Sequence, residues 1–88
     1  MTHTSGRAIA VLGAGSWGTA LAMLLARNGV ATRLWDRDKK HVAQLQQGSN
    51  QRYLAGIDFP TGIQATADLH KALDNADYVL IAVPSSGF

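Results

Sequence analysis

Apolar positions along this chain fall into short continuous runs separated by stretches of helical period, an alternation that predicts strands and helices in turn. Ile9-Ala10-Val11-Leu12 is the first run, and it stops at Gly13-Ala14-Gly15. Trp17, Ala20, Leu21, Leu24 and Leu25 then recur at helical spacing, predicting a helix whose apolar face carries those residues. Arg27-Asn28-Gly29 supplies its stop, and the stretch 31–35 reads as a second strand closing on Asp36. A short helix is predicted within 38–47, capped by Asp38, ended by Gly48 and carrying Val42 and Leu45 as a narrow apolar stripe. The polar, turn-rich stretch 49–62 is expected to be a loop, and its length marks it as a candidate functional one. Ile63-Gln64-Ala65-Thr66 alternates weakly as a short strand, and Asp68 is placed to cap a short helix with Leu69 and Leu73 on one face. The last run, 78–83, is continuously apolar, the pattern of a strand buried on both faces of a parallel sheet.

Strands alternating with helices imply right-handed crossovers, hence an α/β chain forming the first four strands of a Rossmann-like, doubly wound parallel sheet in the order 3-2-1-4. Strand one then abuts the final run. The strand ends at Gly13 and at Pro84-Ser85 border one crevice, at the point where the strand order reverses.

That crevice receives a G-x-G-x-x-G loop, Gly13-Ala14-Gly15-Ser16-Trp17-Gly18, standing between an apolar strand and an amphipathic helix. This context makes the spacing a dinucleotide-binding signal. Gly13 suits the tight turn, Gly15 has no Cβ to hold a pyrophosphate off the backbone, and Gly18 lets the helix sit close to the sheet. The free N–H groups of Ser16, Trp17 and Gly18 would face the phosphates at the positive end of the helix dipole. For Trp17 two readings stay open: contact through its backbone N–H alone, or through the indole as well, the alternative role of the ring being to pack on the sheet. Asp36 lies where an acidic ribose ligand is expected, and Arg37 beside it suits a 2′-phosphate or an adenine face, so the pair points to dual or NAD-leaning use. A surface ion pair is the plainer role for both. Ser85 follows a strand at the switch point and Pro84 directs the chain's exit toward the cofactor, although capping a helix is an equally physical role for that serine.

Composition narrows the picture. The 88 residues suffice for one small domain, and 47% are apolar, ordinary for a globular core. No stretch is apolar for long enough to span a bilayer, and residues 1–7 read as a flexible polar tail without a signal-peptide core, so no membrane role and a cytoplasmic location are expected. There is no cysteine, which removes disulfides and Cys-based metal sites. The net charge of +2 comes from scattered basic residues, so no nucleic-acid partner is indicated. His3, His41 and His70 lack metal-ligand spacing and are expected to be solvated. Asp68, Asp74 and Asp77 fit caps and turns rather than acid–base catalysis.

The residues quoted resemble the N-terminal part of bacterial-type NAD(P)-dependent glycerol-3-phosphate dehydrogenases. The loop and helix start, residues 13–22, are similar to that family's cofactor loop well beyond the glycines, and Leu34-Trp35-Asp36-Arg37 to its second-strand end. Asn50-Gln51-Arg52-Tyr53-Leu54-Ala55-Gly56 resembles its N-x-R-Y-L-P-G segment, with Ala55 departing from the usual proline, and Val83-Pro84-Ser85 resembles its V-P-S. The resemblance implies a cofactor, NAD or NADP, and places Tyr53 at the edge of the adenosine pocket, although covering core is the commoner role of a lone loop aromatic. It also implies reversible hydride transfer between nicotinamide and glycerol 3-phosphate or dihydroxyacetone phosphate, feeding phospholipid synthesis.

In that family a helical second domain carries the substrate contacts and catalytic lysines. Residues 8–88 therefore read as the front part of a dinucleotide-binding domain with the substrate domain absent, expected to bind cofactor without turnover. The final apolar strand, lacking its outer neighbour, is expected to drive self-association. Two rivals are another dehydrogenase of the 6-phosphogluconate and hydroxyacyl-CoA type, which lacks the Ser16-Trp17-Gly18-Thr19 and N-x-R-Y-L pairing, and a non-catalytic nucleotide-sensing module.

Overall fold

The computed structural model describes residues 7–82; Pro84 and Ser85, both expected at the site, lie outside them. Six strands and three helices follow in the order β1 (Ala8–Leu12), α1 (Ser16–Arg27), β2 (Ala31–Trp35), α2 (Lys39–Leu45), β3 (Ser49–Asn50), β4 (Leu54–Asp58), β5 (Ile63–Thr66), α3 (Leu69–Leu73) and β6 (Tyr78–Ile81). Four of the strands form a parallel sheet in the order β5-β2-β1-β6, with Ile9 opposite both Thr32 and Tyr78, and Thr32 opposite Ile63. With β5 third and β6 fourth of the sheet strands along the chain, this is the 3-2-1-4 order that the alternation predicts.

The stretch expected to be a loop holds a small antiparallel pair instead. Ser49 faces Asp58 and Asn50 faces Leu54, with a register shift between the two pairings. Two residues of β3 give no readable alternation, so the pairing left no periodic signal in the sequence.

Capping residues set the helix ends. Asp38 Oδ1 accepts from the Lys40 and His41 N–H groups at 3.0 and 3.2 Å, and Asp68 Oδ1 accepts from His70 and Lys71 at 2.9 and 3.3 Å. The α1 helix closes at Asn28, whose Nδ2 donates to the Leu24 carbonyl at 2.8 Å, and Gly29 follows with φ +81, a left-handed turn that glycine enters without a Cβ penalty. Asp77 serves a turn as expected: its Oδ2 accepts from the Ala8 N–H, and its own N–H donates to the Ala8 carbonyl, both at 2.7 Å.

The core sits between the sheet and the helices and is built from Val11, Ala14, Ala22, Leu34, Val42, Leu45 and Ala82. Two sequence expectations about burial are corrected here. The buried residues of α1 are Gly18, Thr19, Ala22, Met23 and Ala26, with Leu21 and Leu25 of the expected face partly buried against the core, whereas Trp17 and Leu24 are 67% and 57% exposed and Ala20 is exposed as well. Close approach of helix to sheet selects the small side chains, so the buried stripe is rotated from the one marked by the largest apolar residues. The β6 strand, expected to be buried on both faces, is exposed at all four residues, because it is the edge strand and hydrogen-bonds only to β1 among the described elements. Leu69 and Leu73 of α3 are likewise exposed, and Ala72 is the buried residue of that helix.

Candidate functional site

The site begins where β1 ends. The Gly13 N–H donates to the Trp35 carbonyl and the Ala82 N–H to the Leu12 carbonyl, each at 2.8 Å, so the neighbouring strands hold the strand end from both sides. Gly13 then turns the chain with φ +114. This is the reversal point of the strand order, and the cleft that opens there has a volume of about 640 Å³.

Three groups of residues line the cleft. The loop supplies Gly13, Ala14, Gly15, Ser16 and Trp17; the end of β2 supplies Trp35, Asp36, Arg37 and Asp38; and His41, Arg52, Tyr53 and Ala82 complete it. Every site residue expected from the sequence within the described region lines this cleft, with the exception of Gly18, which lies behind it. A Cβ on Gly18 would stand 1.8 Å from the Gly13 carbonyl oxygen and 3.2 Å from the Ala82 Cβ, so its lack of a side chain sets the distance between α1 and the strand ends. A second hollow of about 350 Å³, beneath Leu45, Phe59 and Ile63, has no charged residue in its lining.

The loop meets the requirements of a phosphate group. A Cβ built on Gly15 finds no heavy atom within 4 Å, so the backbone there borders open space. Gly15 is the N-cap of α1 with no side-chain cap, and its carbonyl accepts the first helical bond, from the Thr19 N–H at 3.0 Å. The N–H groups of Ser16, Trp17 and Gly18 stand ahead of that bond at the positive end of a 12-residue helix. Trp17 is too exposed for its ring to be a sheet-packing residue, and it lines the cleft instead.

Asp36 makes a structural contact that its sequence position did not reveal. Its Oδ2 accepts from the Ala14 N–H at 3.0 Å and its Oδ1 from the Asp38 N–H at 2.9 Å, so the carboxylate ties the end of β2 to the loop. A carboxylate has about four acceptor positions, which leaves capacity for a hydroxyl ligand. Arg37 is exposed at the cleft wall. The ion pair at this rim is Arg52 with Asp38, at 3.2 Å, rather than Arg37 with Asp36. Its side chains are 49% and 43% exposed, so it contributes little to stability and acts mainly by placing charge. The His41 N–H above all, then the Arg52 guanidinium, hold the Asp38 carboxyl below its ordinary range, and the hydrogen bond to Asp38 raises Arg52.

His41 is a correction. Expected to be solvated, it is 3% exposed, its Nε2 lies 2.8 Å from the Ala14 carbonyl, and its ring meets Tyr53 edge-on at 5.6 Å between centroids. A signal existed in the sequence: the helical phase of α2 puts His41 on the face of Val42 and Leu45, the other buried residues of that helix. Asn50, fully buried, also donates to the Ala14 carbonyl, at 3.1 Å; its neighbourhood is set by chain reversal at β3 and left no trace in local sequence. Arg52 joins the site by the same reversal, reaching Asp38 at the end of β2. Among the described residues there is no cluster of three or more His, Cys, Asp or Glu able to hold a metal ion, and no helix long and apolar enough to cross a membrane.

The backbone and sequence agree with known proteins. The glycerol-3-phosphate dehydrogenase [NAD(P)+] of Halorhodospira halophila is 56% identical over 81 residues, covering 91% of this chain and 24% of that protein. The enzyme of the same name from Stenotrophomonas maltophilia is 51% identical over 86 residues, covering 97% of this chain and 25% of that protein. The chain thus spans about a quarter of the length of the curated relatives it matches. Among solved structures, glycerol-3-phosphate dehydrogenase from Coxiella burnetii superposes with a TM-score of 0.86 at 49% identity, covering 90% of this chain and 25% of that one. The enzyme from Plasmodium falciparum superposes at 0.77 with 30% identity, over 89% of this chain and 25% of that one. Residues 8–88 match the family described as the NAD-dependent glycerol-3-phosphate dehydrogenase N-terminus, and the chain belongs to this family.

Proposed function

We propose that this chain is the nicotinamide-dinucleotide-binding part of an NAD(P)-dependent glycerol-3-phosphate dehydrogenase. The observation that carries the reading is the uncapped start of α1 opening, through Gly15, onto a charged cleft at the reversal point of a parallel sheet. In this assignment the N–H groups of Ser16, Trp17 and Gly18 hold the pyrophosphate, with Gly13 and Gly15 giving it access to the backbone. Asp36 accepts from the adenosine ribose, and Arg37 and Tyr53 flank the adenosine; Pro84 and Ser85, also assigned to the cofactor, lie outside the described residues. A nicotinamide held there would supply the hydride chemistry, with the chain's own residues binding and orienting it.

The whole enzyme's reaction in this reading is reversible hydride exchange with glycerol 3-phosphate and dihydroxyacetone phosphate, in the cytoplasm, supplying phospholipid synthesis. Residues 7–82 provide binding and orientation of the cofactor but no constellation that would position the substrate carbon, and positioning is what a transfer between two bound partners requires. The exposed β6 edge, with Ile81 70% exposed, supports self-association of the 88-residue chain.

Calorimetric titration of the chain with NADH tests the assignment: saturable binding without turnover of dihydroxyacetone phosphate is expected. Absence of binding refutes the cofactor assignment, and measurable turnover refutes the division of labour.

A further inference from the structure

Ala14 is held by side chains on both flanking peptides, through its N–H on the Gly13 side and its carbonyl on the Gly15 side, and those side chains come from the end of β2, from α2 and from β3. Its N–H donates to Asp36 at 3.0 Å, and its carbonyl receives His41 Nε2 at 2.8 Å and Asn50 Nδ2 at 3.1 Å. A carbonyl oxygen can only accept, so the His41 Nε2 carries the proton. The orientation of Asn50 is fixed in the same way: Nδ2 faces Ala14 and also donates to Thr19 Oγ1 at 2.7 Å, while Oδ1 accepts from the Tyr53 N–H at 3.2 Å. Ala14, Thr19 and Asn50 are fully buried, and among the described residues no buried side-chain polar atom lacks a partner. A buried network satisfied at every member specifies one arrangement, since any rearrangement leaves a desolvated donor or acceptor unpaired.

We propose that His41 and Asn50 are positioning residues of the Gly-rich loop, which fix the orientation of the Ala14–Gly15 peptide and hence of the N–H groups that meet the dinucleotide phosphates. The physical link is the planarity of the peptide: the Ala14 carbonyl and the Gly15 N–H point in opposite directions, so holding the carbonyl against α2 and β3 turns the N–H away from them. Gly15 is the residue least able to hold its own conformation, because it has no side chain to pack. The network also joins the loop to the β3–β4 pair through Asn50 and the Tyr53 N–H. The positioning role rests on the proposed dinucleotide reading, whereas the holding of the loop is measurable without any ligand.

The test uses the 88-residue chain and the pair His41→Phe and His41→Gln, the first keeping a ring against Tyr53 without a donor, the second restoring a donor. In the ligand-free chain, His41→Phe is expected to speed exchange of the Ala14 amide by about five- to tenfold, the size of one net hydrogen bond. The Val11 and Leu34 amides of the sheet should not change, and His41→Gln should restore the Ala14 rate. NADH affinity is expected to fall by a similar factor in His41→Phe, while adenosine, which has no phosphate, binds as before. Asn50→Asp, which keeps the size of the side chain and the acceptor for Tyr53 but removes both donors, should act in the same direction. Unchanged Ala14 exchange, equal loosening of Val11 and Leu34, an equal loss of adenosine affinity, or His41→Gln behaving like His41→Phe would each overturn the proposal. Failure of the wild-type chain to bind NADH refutes the proposed function instead, and the holding of the loop is then decided by exchange alone.

Discussion

Adding one methyl group at Gly15 and, separately, at Gly18 should divide binding from folding, because the structure gives the two Cβ atoms opposite surroundings. At Gly18 the Cβ would stand 1.8 Å from the Gly13 carbonyl oxygen, against a floor of 3.0 Å that real Cβ atoms respect. The obstacle is backbone held in the β1–β2 ladder, so α1 itself must move away from the sheet. Overpacking costs about 1–3 kcal/mol, and a clash this deep into backbone belongs at the upper end, so it exceeds the roughly 1 kcal/mol that alanine's better helix propensity returns. For a domain of this size each net kcal/mol lowers Tm by about 4–8 °C. At Gly15 the backbone is extended, with φ −78, and the Cβ meets nothing within 4 Å. Stiffening of the unfolded chain and the poorer capping by alanine oppose each other, leaving stability within about 1 kcal/mol of wild type. The new methyl nevertheless occupies the approach to the loop. Losing one charge-assisted hydrogen bond to a phosphate costs about 1.5–3 kcal/mol, so NADH affinity should fall at least about tenfold. Urea melts and calorimetric titration of both variants measure the two effects. A Gly15→Ala chain that binds NADH as tightly as wild type, or a Gly18→Ala chain that melts like it, refutes the reasoning.

Three further outcomes are expected. Replacing Asp36 by Asn removes the negative charge while keeping an acceptor for the Ala14 N–H, so preference should move toward NADP; parallel titrations with NAD and NADP giving an unchanged ratio would show that Asp36 does not face the ribose. Because the His41 N–H and the Arg52 guanidinium lower the Asp38 pKa, its cap on α2 is fully present above the ordinary carboxylate range and is lost only as pH falls through the depressed value; a carboxyl NMR titration with its midpoint in or above the ordinary range contradicts this. The open β6 edge should make the chain self-associate, and a monodisperse monomer at high concentration in a light-scattering dilution series, with rapidly exchanging 78–81 amides, excludes it.

Wherever structure follows from residues near in sequence, the chain itself was explicit. The caps at Asp38 and Asp68, the stop at Asn28-Gly29 and the Gly-rich turn arise from spacing over a few residues, the strand order follows from the alternation of strands and helices with right-handed crossovers, and each appears where the pattern places it. Contacts that depend on which surfaces meet were decided by tertiary structure. The buried face of α1 is the one whose small residues allow close approach, which hydrophobicity alone does not identify, and the exposure of β6 reflects its place at the edge of the sheet. His41 and Asn50 lie 27 and 36 residues from the Ala14 carbonyl they share, and Asp36 lies 22 from the Ala14 N–H. A hydrogen bond across such a separation leaves no periodic mark, because its geometry is set by the packing of α2 and the β3–β4 pair against the loop. The sequence by itself therefore pointed to a dinucleotide and to the loop proposed to meet it, while only the fold decided which distant side chains hold that loop in place.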